Sequence, residues 1–298
     1  MNLQVQHSFA NQPTGTLYLV PTPIGNLDDM TFRAVKVLRE VDLIAAEDTR
    51  NTQKLLNHFE IDTREISFHE HNTMERIPEL VQKLQAGMNI AQASDAGMPS
   101  ISDPGHELVV ACIKENIPVV PLPGANAGLT GLIASGLSPQ PFYFYGFLNR
   151  KPSDQIAELE AINQHQETII LYEAPHRLKK TLKNMNKVLG SNRQTVLCRE
   201  ITKRYEDFHR GNLAELLDWA ENNRVMGEFV IIVAGNQNAS TVNSTADDEL
   251  LKLSMPEQVE HFINQGDKPN SAIKRVAKLH QIKKQEVYNL YHHIEREG

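Results

Sequence analysis

Between Leu17 and Ser135 the chain alternates short apolar runs with amphipathic stretches, and few folds tolerate that rhythm. Leu17–Val20, Asp42–Ala46, Glu65–Phe68, Ile90–Ala93 and Pro118–Leu122 read as strands. Thr31–Glu40, Thr52–Phe59, Met74–Gln85, Gly105–Glu115 and Ala127–Ser135 read as helices, the third closed by Gly87. Strands separated by helix-length segments cannot pair as hairpins, so the expected fold is an α/β layer with a largely parallel sheet.

The first strand ends in Val20-Pro21-Thr22-Pro23-Ile24-Gly25-Asn26. Proline removes a ladder donor and glycine permits a close turn, so a rigid loop must cap this strand. Ligands of open α/β sheets bind at such carboxyl ends. The loop lacks both the dinucleotide pattern Gly-x-Gly-x-x-Gly and the Gly-Lys-Ser/Thr of a P-loop, which points to a ligand other than a nucleotide phosphate.

A second α/β unit follows the Pro139-Gln140-Pro141 joint, with strands at Phe142–Phe147, Thr168–Tyr172, Thr195–Arg199 and Glu228–Val233. Its helices are expected at Asp154–Gln164, His176–Leu189 and Ala214–Asn222. The expected organisation is an N-terminal α/β domain over 1–138, a second over 139–236 that closes a cleft, a polar linker over 237–250 and a helix-turn-helix-like module over 251–298.

No apolar run approaches the ~18 residues that span a bilayer, and Met1–Thr14 lacks the apolar core of a signal peptide. Cys112 and Cys198 stand far apart and form no metal or redox motif. A cytoplasmic protein without a membrane partner is expected. The formal net charge of −7 argues against a surface coated with basic residues for naked nucleic acid, but leaves room for a local basic patch. One such patch lies in the C-terminal module, at Lys274, Arg275, Lys278, Lys283 and Lys284.

Polar clusters gather at the expected strand ends: Pro21–Asn26, Glu47–Arg50, Phe68–Asn72, Ser94–Gly105 and Pro121–Asn126. Each alone is ordinary punctuation, whereas several on one sheet edge make a binding site. His69 and His71 would share a strand face, but two imidazoles are too few for a structural zinc, so no metal is expected and hydrogen bonding to a polar substrate is the alternative. Asp103-Pro104 has the form of a helix start, with aspartate as N-cap. Glu173, before Pro175, either satisfies a helix N-terminus or meets substrate. Arg199, Lys203 and Arg204 either hold phosphates or form a salt-bridged surface.

Seven segments in order resemble the tetrapyrrole methylase superfamily of S-adenosylmethionine-dependent methyltransferases, and within it the ribosomal RNA small subunit methyltransferase I family. They are VPTPIGN at Val20–Asn26, EDTR at Glu47–Arg50, HEHN at His69–Asn72, SDAGMPSISDPG at Ser94–Gly105, PLPGANA at Pro121–Ala127, YEAPHR at Tyr172–Arg177 and REITKRYE at Arg199–Glu206. Met98 and Asn126 depart from the family's usual residues and are expected to reshape the cofactor pocket slightly.

The resemblance implies two α/β domains with a cleft, a homodimer, and methyl transfer to the ribose 2′-oxygen of a cytidine in 16S ribosomal RNA (cytidine 1402) of the small ribosomal subunit. It implies that S-adenosylmethionine is held by Pro23, Ser94, Asp95, Ala96, Gly97, Pro123, Gly124 and Ala125, and closed over by Tyr172, Gly227, Glu228 and Phe229. Glu47, Glu200 and Lys203 are the catalytic candidates. Asp48, Arg50, His69, His71, Asn72, Glu173, Arg177, Arg199 and Arg204 are the candidates for substrate binding. A methylase of porphyrinoids or protein side chains, and a nucleic-acid-binding regulator led by the C-terminal module, are the competing readings.

Overall fold

The computed structural model describes residues 3–8, 10, 13–237, 250, 253–280 and 282–292. They divide into a compact unit over 1–237 and a second over 238–298. The expected linker lies, from 238 to 249, outside the described residues.

The leading half of the large unit forms an all-parallel sheet of β1 (Leu17–Val20), β2 (Leu43–Ala46), β3 (Glu65–Ser67), β4 (Ile90–Ala93) and β5 (Val119–Pro121), in the order β3-β2-β4-β1-β5. Its central strands are buried on both faces, hence their unbroken apolar character. Helices α1 (Phe32–Glu40) and α2 (Thr49–His58) cover one face through Val37, Leu38 and Leu56. Helices α3 (Thr73–Gln85) and α4 (His106–Lys114) cover the other through Leu80, Leu84 and Leu108. Because all five strands run the same way, all five polar clusters arrive at one edge.

The trailing half is a mixed sheet in the order β6-β7-β10-β8-β9, from β6 (Phe142–Phe147), β7 (Thr168–Glu173), β8 (Gln194–Arg199), β9 (Asp207–Asn212) and β10 (Phe229–Val233). Only β6 and β7 pair in parallel. Helices α6 (Pro152–Ile162), α7 (Pro175–Leu189) and α8 (Leu213–Asn222) bury one face under Leu159, Leu182 and Leu216. The other face takes α5 (Ala127–Ser135), whose Leu132 packs among Ile170, Val196 and Cys198. A helix that follows the first sheet in the chain thus completes the second.

In the small unit, α9 (Met255–Asn264), α10 (Pro269–Leu279) and α11 (Lys284–Tyr291) enclose a core of Val259, Phe262, Ile273, Val276 and Val287. Arg275 lies 4.0 Å above the Phe262 ring and pairs with Asp267 at 2.9 Å, so one of the expected basic residues is spent internally. Lys274, Lys283 and Lys284 are exposed. Among the described residues, no helix is long and apolar enough to cross a membrane.

Candidate functional site

The loop after β1 is tied to the loop after β4 by an isolated antiparallel bridge, with Thr22 and Gly97 exchanging both backbone hydrogen bonds at 3.0 Å. Gly97 has φ +78°, a conformation that side chains with a Cβ resist. The loop after β5 joins them: a Cβ on Gly124 would fall 2.4 Å from the Pro21 Cβ. Two strand-end loops are therefore bridged backbone to backbone, and the third packs its glycine against a proline ring of the first. That packing requires the small residues and prolines of the sequence clusters.

Two cavities open on either side of this partition. The larger, about 390 Å³, lies between the two sheets. Its walls are largely apolar, with Ile24, Met98, Ile101, Phe147, Ile201 and Val230, and Tyr172 meets Phe147 edge to face at 5.6 Å. Of the expected cofactor residues it gathers Ala96, Gly97, Tyr172, Glu228 and Phe229. Met98 and Asn126, the two departures from the family pattern, also line it. The Asn126 side chain caps α5 by accepting from the Leu129 amide. The Tyr172 hydroxyl accepts a 3.1 Å bond from the Gly128 amide, which ties β7 to α5. The smaller cavity, about 210 Å³, holds Pro23, Ser94 and Asp95. Pro123, Gly124 and Ala125 line neither cavity; Gly124 supports the partition from behind.

Asp103 is not the N-cap its sequence context suggests. Helix α4 begins at His106 behind Gly105, whose φ of +142° breaks the helical path, and Asp103 makes no side-chain hydrogen bond among the described residues. Its carboxyl faces the larger cavity instead. Burial, with Glu47 and Asp95 nearby, pushes its pKa up to about 6. The loop is held by a 2.6 Å bond from the Gln92 side-chain amide to the Pro104 carbonyl.

Glu200 and Lys203 share the larger cavity with Glu228. Lys203 Nζ donates to Glu200 Oε1 at 3.0 Å and Glu228 Oε2 at 2.7 Å, and the Glu228 amide donates to Glu200 Oε1 at 2.9 Å. Burial opposes both charges. Hydrogen bonds outweigh it, holding the Glu200 carboxyl below its ordinary range and the Lys203 ammonium above its own. Two glycines make room for this cluster: a Cβ on Gly227 would fall 2.5 Å from Glu200 Cγ, and one on Gly25 2.3 Å from Lys203 Cγ.

Glu47 receives the Asp95 amide at 3.1 Å, and burial raises its pKa, with Asp95 and Asp48 adding to the rise. Asp48 caps α2 and grips Arg50 in a bidentate pair that leaves the arginine exposed. Asn72 folds its own turn, accepting from the His69 amide and donating to Ser67. The His69 and His71 rings lie 6.0 Å apart, and among the described residues His69 Nδ1 is buried without a partner. Glu173 borders the larger cavity, but its carboxylate is 1% exposed and engaged by the Ala174 amide, the Thr181 hydroxyl and Arg177 at 3.1 Å. Arg177 also donates to the Leu148 carbonyl. Arg199 pairs with Asp207, and Arg204 stands exposed beside the Tyr205 ring. Thus the structure brings Asp48, His69 and Asn72 to the edge of the first sheet and Glu173, Arg177 and Arg199 to the edge of the second.

The larger cavity suits S-adenosylmethionine on physical grounds. Its unpaired carboxyl and aromatic faces fit a cation, and its apolar walls fit a purine and a thioether chain.

The model of the Tetrapyrrole (Corrin/Porphyrin) Methylases matches residues 16–217. The Ribosomal RNA small subunit methyltransferase I of Streptococcus pyogenes serotype M18 is 55% identical over 98% of this chain and all of its own length. The protein of that name from Bacillus subtilis is 50% identical over 97% of this chain and 99% of its own. Among solved structures, the uroporphyrin-III C-methyltransferase of Thermus thermophilus, complexed with S-adenyl homocysteine, aligns over 74% of this chain and 97% of its own with a TM-score of 0.53 at 17% identity. The chain therefore belongs to the tetrapyrrole methylase family, in its ribosomal RNA small subunit methyltransferase I group.

Proposed function

We propose that this protein methylates the ribose 2′-oxygen of a cytidine in 16S ribosomal RNA of the small ribosomal subunit, using S-adenosylmethionine. The observation that carries the proposal is identity of 50–55% with relatives of that group over almost the whole chain. The demethylated cofactor bound by the Thermus protein of the same fold supports the choice of donor.

When bound, S-adenosylmethionine supplies an electrophilic methyl on a positively charged sulfur. This chain's residues must hold the acceptor oxygen in line behind that methyl and exclude water, an alignment worth about 7–11 kcal/mol in favourable cases. We assign Asp103 and the Tyr172 and Phe147 rings to the cationic end of the donor, and the Thr22–Gly97 partition to its backbone contacts. Methyl transfer to the acceptor oxygen would leave the carbon–sulfur electron pair on the donor's sulfur, so no oxidant or reductant is needed. The hydroxyl proton passes to a carboxylate, and Glu47 is the catalytic candidate whose basicity burial raises. Glu200 and Lys203 hold each other charged, so they serve better as fixed charges than as proton acceptors. Arg50 and Arg204, both exposed, are assigned to RNA phosphates, and His69, His71 and Asn72 to further polar contacts with the RNA. In this reading 1–138 and 139–236 share the donor site, the exposed lysines of the small unit dock on RNA, and the enzyme works as a cytoplasmic homodimer.

The test incubates the protein with labelled S-adenosylmethionine and, in separate reactions, naked 16S RNA, assembled small subunits and a porphyrinogen, then maps label by ribose-sensitive cleavage. Label on one cytidine ribose is the expected result. Cofactor binding by calorimetry without label on either RNA substrate refutes it.

A further inference from the structure

The smaller cavity has a composition of its own. It is apolar at Leu27 and Leu55, and its polar groups are the Asp95 carboxylate, the Asn51 amide and the Lys54 ammonium. The Asn51 amide donates to Asp95 Oδ2 at 2.9 Å, the Asp48 amide donates to Asp95 Oδ1 at 3.2 Å, and Lys54 Nζ donates to Asn51 Oδ1 at 3.5 Å. Each Asp95 oxygen keeps a lone pair for a further donor. Thr52 is 3% exposed, and its hydroxyl, sealed from the cavity, has no hydrogen-bond partner among the described residues.

The position matters as much as the composition. Pro23 and Gly25 line this cavity while Ile24, between them, lines the larger one; Asp95 lines this cavity while Ala96 and Gly97 line the other. The bridged loops are thus a wall one backbone thick between two sites.

We propose that the smaller cavity is the pocket for the acceptor nucleobase, and that it selects a pyrimidine with an exocyclic amine. This rests on the reading of the protein as an RNA ribose methyltransferase. The cytosine amine donates to Asp95, the pairing acidic side chains make with cytosine. The Lys54 ammonium meets its ring acceptors, and Leu27 and Leu55 flank it. Uracil would instead place a carbonyl oxygen against the Asp95 carboxylate, acceptor against acceptor. The base is withdrawn from its stack into the pocket, as enzymes do when chemistry on a nucleotide must be fixed in place. The sugar then lies at the edge of the partition, where its 2′-oxygen faces the donor with no backbone between them.

The test compares wild type with Leu27→Trp and Asp95→Asn. One measurement is binding of cytidine and uridine 5′-monophosphates. The other is turnover on small subunits reconstituted with cytidine or uridine at the acceptor position. Wild type is expected to prefer cytidine by about tenfold to a hundredfold. Leu27→Trp should lose nucleotide affinity and raise KM for the subunit, with S-adenosylmethionine affinity unchanged in calorimetry. Asp95→Asn should compress the cytidine preference. Cytidine monophosphate binding that is absent from wild type, or equal in wild type and Leu27→Trp, overturns the proposal. Selective nucleotide binding without turnover on any RNA sustains the pocket and sinks the broader functional reading.

Discussion

Replacing Asp103 by asparagine should make the protein more stable and a poorer binder of its cofactor. The carboxyl titrates near 6 in the fold against an ordinary 3.8. At 1.36 kcal/mol for each tenfold difference, ionised Asp103 costs the fold about 3 kcal/mol, reduced by whatever solvent reaches this half-buried group. The sign follows from linkage. A carboxyl whose pKa is raised on folding carries no penalty below the unfolded value, and the full penalty once pH exceeds the folded value. The amide has nearly the shape of the protonated acid and never ionises. Asp103→Asn should therefore match wild type near pH 4 and exceed it above pH 7 by about 1–3 kcal/mol, which for a unit of this size is several degrees in melting temperature. Cofactor affinity should move the opposite way. A bound sulfonium favours the carboxylate, so wild-type affinity rises as pH climbs through about 6, while the asparagine variant binds weakly at every pH. Urea melts and calorimetric titrations across pH 4 to 8 measure both. A stability gap that does not change with pH, or an asparagine variant less stable at pH 8, would refute the electrostatic account of this cavity.

Three further outcomes follow from packing and charge. Gly124→Ala forces a Cβ to 2.4 Å from the Pro21 ring, which cannot yield as a flexible side chain would; a loss of about 1–3 kcal/mol in urea melts is expected, with weakened cofactor binding. Glu173→Ala strands the Arg177 guanidinium beside a buried cavity and should cost about 3–5 kcal/mol, whereas Thr181→Val, which removes one of several partners, should cost far less. Lys203→Met leaves Glu200 and Glu228 facing each other without the cation, so the Glu200 carboxyl should titrate higher by NMR and turnover should fall with cofactor affinity largely kept.

What local pattern encodes was legible in the sequence. Strands β1 and β4, helix α5 and strand β6 begin and end where expected, because apolar runs there stop at prolines, glycines or polar caps. Strand β9 escaped notice: Asp207-Phe208-His209-Arg210-Gly211-Asn212 has no apolar alternation, and it is a strand because it pairs along β8 at the sheet edge. Asp103 was hidden by a sound local rule, since Asp-Pro does open helices; the left-handed turn at Gly105 displaces the start. The strand-end clusters were visible as a set, but their division between two cavities depends on the Thr22–Gly97 bridge, which is non-local. Asn51 and Lys54 carried no signal because they lie on an amphipathic helix whose outer face looks like ordinary solvated surface.

Helix α5 has a consequence for how this molecule can be divided or rebuilt. It precedes the Pro139–Pro141 joint in the chain, yet its apolar side chains close the trailing sheet. A protein severed between Ser135 and Phe142 would release one fragment carrying a greasy orphan helix and another with an uncovered sheet face, each an invitation to aggregate. Recombination with a related enzyme should accordingly succeed when the crossover precedes Asn126, so that helix and sheet are inherited together, and fail when it falls at the proline-flanked joint that looks like the natural seam.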